Sequence, residues 1–403
     1  MKIGILGHGF IEWGGGLDLL RVVCGSLRVA YPAVELHLLL PTRGPRLATR
    51  RVLRQGWHAA KRAVGQPVSV AKQPDTRLID EFARSPSFNI QPHAIDIGST
   101  AISAAARRIG LQVVLPSVQP LQLPPGLPWM GYIADFQHAH LPQFFSTAEI
   151  EARNRNFADM LARARCVMVN ARAVRSDIEH LLPGHRARVV ALPFSAAPNP
   201  AWFDTGPAPL AQYGITGPYF IICNQFWQHK DHIAAYRAFA RVAGQYPGVQ
   251  LVCTGETSDF RNPDHFPMLC REAQALGIAS RLHVLGLIPK QHQIALLRSA
   301  LALVQPTLFE GGPGGGSVYD AVSLGVPAIV SDVPVNLEID EPGVRFFKAS
   351  NVEALAAALA ERLAAGPAAA ADPAALMTAG QRRRQACGEV LLEAIAQLRH
   401  ARP

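Results

Sequence analysis

The chain has 403 residues, a length that predicts about two domains of ordinary size. Apolar residues make up 49% of the sequence, yet they never form a run long enough to predict a membrane-spanning helix. The six cysteines stand singly, which predicts neither a structural zinc site nor disulfides. The N-terminus lacks the pattern of a secretory signal, so we expect a cytoplasmic protein.

Positive charge is concentrated in the first half of the chain, which carries essentially all of the net charge of +9. The densest stretch runs from Arg43 to Arg62 and holds seven Lys and Arg residues with no acid. As a helix it would place Trp57 on an apolar face flanked by arginines. That pattern is typical of a helix that binds an anionic membrane surface. The alternative is a solvated basic helix packed on its own domain.

Apolar, β-rich runs alternate with helical patterns along the chain. In chain order the predicted strands are KIGIL, VELHLLL, AIDIGS, QVVLPS, CVMVN, ARVVAL, YFIICN, VQLVCTG, RLHVLG, LALVQP and PAIVSD. Continuous apolar strands separated by helices predict parallel sheets that are covered by helices on both faces.

The Pro/Gly-rich stretch Pro193–Pro218 interrupts this alternation and predicts a linker. We expect an N-terminal domain over residues 1–195, a linker over 196–217, a C-terminal domain over 218–380 and a terminal helix over 381–403. The predicted fold class is α/β, with two doubly wound Rossmann-like domains facing each other across a cleft. Ligands of such sheets bind beyond the carboxyl ends of the strands.

The first strand runs into the glycine turn GHGFIEWGGG, residues 7–16. Such a turn hints at the dinucleotide site of an oxidoreductase. Its spacing departs from G-x-G-x-x-G, however, and no acid ends the second predicted strand. The other interpretation is a turn whose glycines simply let strand and helix pack closely.

Two later loops carry residues whose side chains could take part in catalysis or ligand binding. In YIADFQHAHLPQFFS, residues 132–146, His138 fits a general base, a hydrogen-bond donor or a satisfied interior histidine. In CNQFWQHKDH, residues 223–232, Lys230 lies near the start of a predicted helix. It could neutralise a diphosphate, or it could be an ordinary solvated charge.

The stretch FEGGPGGGSVYD, residues 309–320, places five glycines among six residues between Glu310 and Asp320. Bare N–H groups at the start of a helix favour phosphate, and the two acids suit the hydroxyl groups of a sugar and a ribose. We expect the helix to begin at Ser317. The S-x-x-D spacing of Ser317 and Asp320 also has the form of a capping box, which would make them helix starters only.

Together these elements resemble the GT-B glycosyltransferases, specifically family four of the retaining enzymes. That family has an E-G-F-G-L-P-x-x-E pattern followed by A-x-x-x-G-x-P. The stretch FEGGPGGGSVYDAVSLGVPAIVSD is similar to it at Glu310, Gly311, Gly325 and Pro327, with Asp320 in place of the second Glu.

The segment NQFWQHKD likewise resembles the G-R-x-x-x-x-K-N segment of that family. Lys230 is kept, and Gln225 replaces the arginine. The resemblance covers most of the chain and is strongest over residues 218–340 and around 132–146.

The resemblance implies transfer of a sugar from a nucleotide-sugar to an acceptor hydroxyl, with the anomeric configuration retained. Glu310 and His138 would be the catalytic positions, where Glu310 holds the donor sugar and His138 faces it. The residues expected to bind the rest of the donor are Gly15, Gly16, Gln225, Lys230, Gly315, Gly316, Ser317, Val318 and Asp320. Asp320 would hold the ribose. No cofactor and no metal is expected, because cationic side chains and helix ends offset the phosphate charge.

The resemblance further implies a saccharide or lipid-linked acceptor whose site lies on the first domain. The concentration of positive charge in residues 43–62 is the basis for expecting that acceptor to be lipid-linked at the inner membrane face, as in bacterial surface polysaccharide assembly. No nucleic-acid partner is expected. Two other functions stay open: a sugar-nucleotide epimerase of the same fold, and a catalytically inactive nucleotide-sugar-binding protein.

Overall fold

The computed structural model of the chain describes residues 1–41, 76–85, 88–366 and 371–400. They form two compact units, unit 1 (Met1–Pro193 with Arg384–Pro403) and unit 2 (Phe194–Arg383). Each unit contains one sheet, and the described strand pairings are parallel. The prediction of two doubly wound Rossmann-like domains is therefore confirmed. The basic stretch 43–62 lies outside the described residues.

The sheet of unit 1 has the strand order β3-β2-β1-β4-β5-β6-β7 in the described residues. Its strands are Lys2–Leu6 (β1), Glu35–Pro41 (β2), Ile90–Ile95 (β3), Val113–Ser117 (β4), Trp129–Tyr132 (β5), Cys166–Val169 (β6) and Arg188–Ala191 (β7). The chain runs outward in one direction from β1 and in the other from β4. The crevice beyond the carboxyl ends of β1 and β4 is thus the switch point where such sheets bind ligands.

Helices cover both faces of this sheet. They are Gly14–Ala30 (α1), Thr76–Arg84 (α2), Ser99–Ile109 (α3), Gln137–His140 (α4), Thr147–Arg163 (α5) and Arg172–Leu181 (α6). The C-terminal helix also packs here, since Leu391 and Ile395 are buried in the same cluster as Ile3 and Leu20. Parallel strands need this cover because their apolar side chains point to both faces.

The sheet of unit 2 has the order β10-β9-β8-β11-β12-β13. Its strands are Tyr219–Cys223 (β8), Gln250–Thr254 (β9), Leu282–Gly286 (β10), Ala302–Gln305 (β11), Ala328–Ser331 (β12) and Val344–Phe347 (β13). The remaining helices are His232–Ala243 (α7), His265–Ala275 (α8), Lys290–Ser299 (α9), Gly315–Ser323 (α10), Val352–Ala364 (α11) and Pro373–His400 (α12). The switch point of this sheet lies between β8 and β11.

The apolar runs of the sequence correctly predicted most of the strands, with three exceptions. The strand predicted over residues 94–99 is instead Ile90–Ile95, whose polar residues and proline are tolerated because β3 is an edge strand. Strands β5 and β13 were not predicted, because Gly131 in WMGY and Arg345 in VRFF interrupt their short apolar runs.

Residues 196–217, predicted as a linker, pack on unit 2. Ile215 is buried in the same cluster as β8, and Trp202 and Tyr213 pack against it. The prolines and glycines shape two 3₁₀ turns, Pro200–Trp202 and Ala211–Tyr213. The sequence pattern thus identified an irregular segment, and the apolar side chains inside it attach that segment to a core.

All six cysteines, each within the described residues, are free thiols. Cys253 is fully buried and Cys270 is exposed. Among the described helices, none combines the length and the apolar character needed to cross a membrane.

We expect Gly388→Ala to destabilise unit 1. A Cβ at Gly388 of α12 would lie 2.2 Å from the carbonyl oxygen of Ser26 and 2.5 Å from Cβ of Ala30, both in α1. Separating two packed helices costs about 1–3 kcal/mol of unfolding free energy. Urea unfolding measures the effect. The control is Gly126→Ala, where no atom lies within 4 Å, and an equal loss in both variants would contradict close helix packing as the cause.

Candidate functional site

A buried ion pair lies at the switch point of unit 2. The Nζ atom of Lys230, in the loop after β8, donates to Oε1 of Glu310, in the loop after β11, at 2.5 Å. Only 12% of the lysine side chain and 9% of the glutamate side chain are exposed. The two loops that the strand order brings together therefore meet through opposite charges.

Gln305 holds the Glu310 side of this ion pair in position. It is the last residue of β11, is fully buried, and donates through Nε2 to Oε1 of Glu310 at 2.8 Å. Its Oε1 accepts from Nδ2 of Asn224 at 2.8 Å and from Oγ of Ser317 at 3.0 Å. The side-chain amide of Gln305 thus connects the loop after β8, the Glu310 carboxylate and helix α10 through hydrogen bonds.

Glycines wrap the next loop closely around the carboxylate. Gly314 and Gly315 have φ angles of 66° and 59°, in the left-handed region that favours glycine. A Cβ at Gly315 would lie 3.2 Å from Oε2 of Glu310. The N–H of Gly314 donates to Oδ1 of the buried Asn336 at 2.7 Å, which secures the far side of the loop.

Helix α10 begins at Gly315 rather than at Ser317. Its N-cap is Gly314, which offers no side chain, and Ser317 bonds to Gln305 instead of to the helix backbone. The capping-box interpretation of Ser317 and Asp320 is therefore wrong. A helix that starts here leaves the N–H groups of Gly315, Gly316 and Ser317 without intrahelical acceptors, at the positive end of its dipole.

The other predicted members of α10 lie further along the helix. Val318 is its fourth residue and is fully buried. Asp320 is 8% exposed, and its Oδ2 accepts a short hydrogen bond from Nζ of Lys290 at the start of α9. Lys230 and Lys290 thus each face one of the two acids that flank the glycine loop.

The histidines beside Lys230 are neutral. Burial, followed by the charges of Lys230 and Arg261, lowers the pKa of His229 to about 2. Burial, followed by His265 and Lys230, lowers the pKa of His232 to about 3. Neither histidine therefore adds positive charge to this loop at neutral pH. Within the described ranges, no three His, Cys, Asp or Glu side chains form a group that could hold a metal ion.

His138, predicted as catalytic, lies in α4 of unit 1 and is only 1% exposed. Its Nε2 contacts Oδ1 of Asn154 at 2.8 Å, and its Nδ1 has no hydrogen-bond partner among the described residues. Burial holds the pKa of His138 below its ordinary value, an effect that the Asn154 contact partly opposes. The imidazole is therefore a neutral group with one unused nitrogen.

Three further predicted residues follow strands. Gly15 and Gly16 lie in the first turn of α1, and a Cβ at Gly16 would lie 2.3 Å from the carbonyl oxygen of Phe10. Close packing alone therefore requires glycine there. Gln225 is partly buried in the loop after β8, and its carbonyl oxygen accepts from the N–H of Trp227 at 2.8 Å.

Sequence reasoning missed four residues that build the site. Gln305 and Asn224 connect the loops, Asn336 holds the glycine loop, and Lys290 pairs with Asp320. Gln305 left a signal, since it is a polar residue at the end of a strand otherwise apolar, LALVQ. The roles of the other three depend on contacts between distant segments, which no local pattern records.

Residues 212–372 match the profile of a family described as glycosyl transferases group 1. The matched segment contains Lys230, Gln305, Glu310 and Asp320, so the site described above lies inside it. No curated protein matches the sequence.

Several solved structures share the fold over nearly the whole chain. HepE from Anabaena, in complex with UDP, is 14% identical over 98% of this chain and 100% of its own, with a TM-score of 0.61. Sucrose-phosphate synthase from Thermosynechococcus elongatus is 17% identical over 98% and 96%, with a TM-score of 0.56. WaaG, a glycosyltransferase involved in lipopolysaccharide biosynthesis, is 12% identical over 100% of both chains, with a TM-score of 0.54. At these identities the likeness shows the fold alone.

A double-mutant cycle should reveal strong coupling between Lys230 and Glu310. Lys230→Met or Glu310→Gln alone leaves the other charge buried without its partner, which costs about 3–5 kcal/mol. The double variant should lose clearly less than the sum of the two, by about 2 kcal/mol in urea unfolding.

The matched control for that cycle is the exposed pair of Arg345 and Glu361, whose atoms lie 3.3 Å apart with 65% of each side chain exposed. Arg345→Met and Glu361→Gln should couple by less than about 1 kcal/mol. Equal coupling in the two cycles would contradict burial as the source of the strength.

Asp231→Asn should stabilise the protein above pH 6 and leave it unchanged below pH 4. Asp231 caps α7 in a left-handed conformation, which Asn also tolerates. Burial raises the pKa of Asp231 from 3.8 to about 6, against smaller opposing effects of Ala234 and Ser350. The unfolded chain therefore loses this proton first, and wild-type stability falls as pH rises through that window.

The expected gain for the Asn variant at neutral pH is about 1 kcal/mol after allowance for solvent screening. Unfolding free energies measured from pH 4 to 7 test it. Asp264→Asn makes the same change at the N-cap of α8, where the side chain forms no capping hydrogen bond. An identical pH profile for both variants would rule out the partly buried Asp231 as the cause.

Proposed function

Since residues 212–372 belong to the glycosyl transferases group 1 family, we propose that the chain moves a sugar from a nucleotide-sugar to an acceptor hydroxyl with retention of anomeric configuration. The observation that carries the proposal is the buried pair of Lys230 and Glu310 beside the first turn of α10. It brings a cation, the N-terminus of a helix and a carboxylate together at one switch point.

Lys230 and the start of α10 would bind the diphosphate of the donor. A phosphate oxygen can replace Glu310 as acceptor for the ammonium group, because both are anionic and of similar size. The N–H groups of Gly316 and Ser317 add donors at the positive end of the helix dipole, while that of Gly315 already donates to the carbonyl oxygen of Gly312 at 3.4 Å. Gln225, in the loop after β8, is proposed to line the remainder of the donor site.

Glu310 and Asp320 would bind the two sugar rings of the donor. Carboxylates accept hydrogen bonds from hydroxyl groups, and each of these acids is already held in place by a lysine. Glu310, fixed by Gln305, would hold the transferred sugar, and Asp320 the ribose.

The chemistry follows from where charge develops. As the glycosidic bond breaks, positive charge grows on the sugar ring and negative charge on the leaving phosphate. Glu310 stabilises the first, while Lys230 and α10 stabilise the second. These residues supply the positive charge that the diphosphate needs, so we propose that turnover requires neither metal nor cofactor. No side chain is assigned as a nucleophile.

The structural neighbours support a choice of substrate class. HepE has been solved with UDP and with UDP and glucose, and WaaG is involved in lipopolysaccharide biosynthesis. We therefore propose a nucleoside-diphosphate sugar as donor and bacterial surface polysaccharide assembly as the setting. The reaction would take place in the cytoplasm, with residues 43–62 at an anionic membrane surface.

The decisive binding experiment is a thermal-shift screen of the full chain with UDP, GDP, dTDP, ADP and NAD in EDTA. One nucleoside diphosphate should stabilise the protein, by about 2.7 kcal/mol at a ligand concentration 100-fold above Kd. Lys230→Ala should lose most of that gain. Lys348→Ala removes an exposed lysine of the same unit, 3.8 Å from Asp332, and should keep it. Stabilisation by NAD alone would contradict the proposal.

Turnover separates the proposed transferase from a binding protein or an epimerase. Glu310→Gln should lower kcat by about 100-fold or more while nucleoside diphosphate binding persists, because the charge it stabilises appears only in the transition state. The anomeric configuration of the product, read by NMR, tests retention. Binding without any turnover would favour an inactive binding protein, and conversion of the donor without an acceptor would favour an epimerase.

A further inference from the structure

A cavity of about 550 Å³ lies in unit 1 at the edge of the sheet opposite its switch point. Trp129, the first residue of β5, lines it, as do Gln112 and Arg165, which come directly before β4 and β6. These three strands are parallel neighbours, so the cavity lies at their amino ends. Because ligands of open sheets bind at the carboxyl ends, this cavity is separate from the switch point of the same sheet.

One wall of the cavity is apolar and rigid. It is formed by the turn LPPGLPW, residues 123–129, all of which line the cavity. Its three prolines fix the backbone φ angle, and the N–H of Leu127 donates to the carbonyl oxygen of Pro124 at 2.9 Å. Leu127 is buried in one apolar cluster with Leu111, and Trp129 packs against that cluster. A surface held in one conformation binds a ligand with little loss of entropy.

Three arginines from different segments also line the cavity. Arg163 ends α5, Arg165 precedes β6 and Arg399 lies in the last turn of α12. The described residues that line the cavity include no Asp or Glu. Nε of Arg163 donates to Oδ1 of Asp159 on the same helix at 2.5 Å, and Nη1 of Arg399 lies 3.8 Å from the sulfur of Met1, a weak acceptor. Even with Asp159 counted, the arginines outnumber the acids.

We propose that this cavity binds a small amphipathic phosphate, meaning a phosphate monoester carried on an aromatic or aliphatic body. The body packs on Trp129 and Leu127, and the phosphate accepts hydrogen bonds from the arginines. A phosphate monoester has three terminal oxygens and a charge of about −1.5 to −2 at pH 7, so it suits three guanidinium groups better than a carboxylate does. Apolar walls with a few charged groups are the usual construction of a small-ligand site. This inference is independent of the proposed sugar transfer.

The test is isothermal titration calorimetry of the full chain with 1-naphthyl phosphate. We expect a Kd below about 1 mM. Binding of 1-naphthol and of inorganic phosphate should each be at least about tenfold weaker, because each probe offers only one half of the recognition.

Arg399→Ala should weaken binding of 1-naphthyl phosphate by about tenfold, because it removes a charge-assisted donor. The matched control is Arg155→Ala, which removes an arginine earlier in α5 whose side chain is 71% exposed and should leave binding unchanged.

A second variant adds negative charge to the cavity without a clash. Gly126→Asp changes a lining residue at which a Cβ would meet no atom within 4 Å, and repulsion should weaken phosphate binding by about tenfold. Gly343→Asp makes the same change of net charge in unit 2, where a Cβ likewise meets no atom, and should leave binding unchanged. An equal loss in both variants would overturn the inference, since net charge would then explain it.

Lys230→Ala separates this cavity from the candidate site of unit 2 and should leave binding of 1-naphthyl phosphate unchanged. Binding lost in Lys230→Ala and kept in Arg399→Ala would overturn the inference. So would the absence of binding, or equal affinity for 1-naphthol and its phosphate. Binding to phosphatidic acid vesicles without binding of the soluble ester would also overturn it and assign the arginines to a lipid surface.

Discussion

The candidate site depends on one buried interaction, the ion pair between Lys230 and Glu310. Its two members come from loops that are distant in sequence and adjacent only because β8 lies beside β11. Two charges out of water are stable only when their remaining hydrogen bonds are satisfied. Gln305 donates such a hydrogen bond to Glu310. Its own oxygen accepts from Asn224 and Ser317, which connects the ion pair to the loop after β8 and to α10.

This constraint explains the unusual run of glycines. The loop from residue 311 to 316 has to turn around Glu310 and enter α10 within a few residues, and a side chain at Gly315 would crowd the carboxylate. The same geometry leaves the first N–H groups of α10 beside the ion pair. The Lys230 ammonium group, the start of α10 and the Glu310 carboxylate therefore lie together. This combination suits a donor with a diphosphate between two sugars.

Each unit has a switch point in its sheet, but the two switch points carry different chemical groups. In unit 2 the switch point holds charges that suit a diphosphate. In unit 1 the turn after β1 carries the indole ring of Trp13, whose Nε1 donates to the carbonyl oxygen of Gly9, and the carboxylate of Glu12. Because strand order alone creates both crevices, the chemistry of each is set by the few residues that its loops carry.

The sequence by itself determined the parallel sheets, because these follow from the local periodicity of apolar residues. It also identified the glycine loop and the candidate residues Lys230, Glu310 and Asp320, because glycine runs and charged residues beside strand ends are recognisable from residue type alone. It placed the start of α10 two residues late, since a serine and an acid imitate a cap when a glycine actually serves as one. Only the tertiary structure decided the partners: Gln305 with Glu310, Lys290 with Asp320, and the core of unit 2 against which Trp202 and Tyr213 of the expected linker pack. Lys290 and Asp320 are 30 positions apart, and even Gln305 and Glu310, five positions apart, meet only through the fold of the loop after β11. These contacts form only once packing on both faces of each sheet has fixed the strand order.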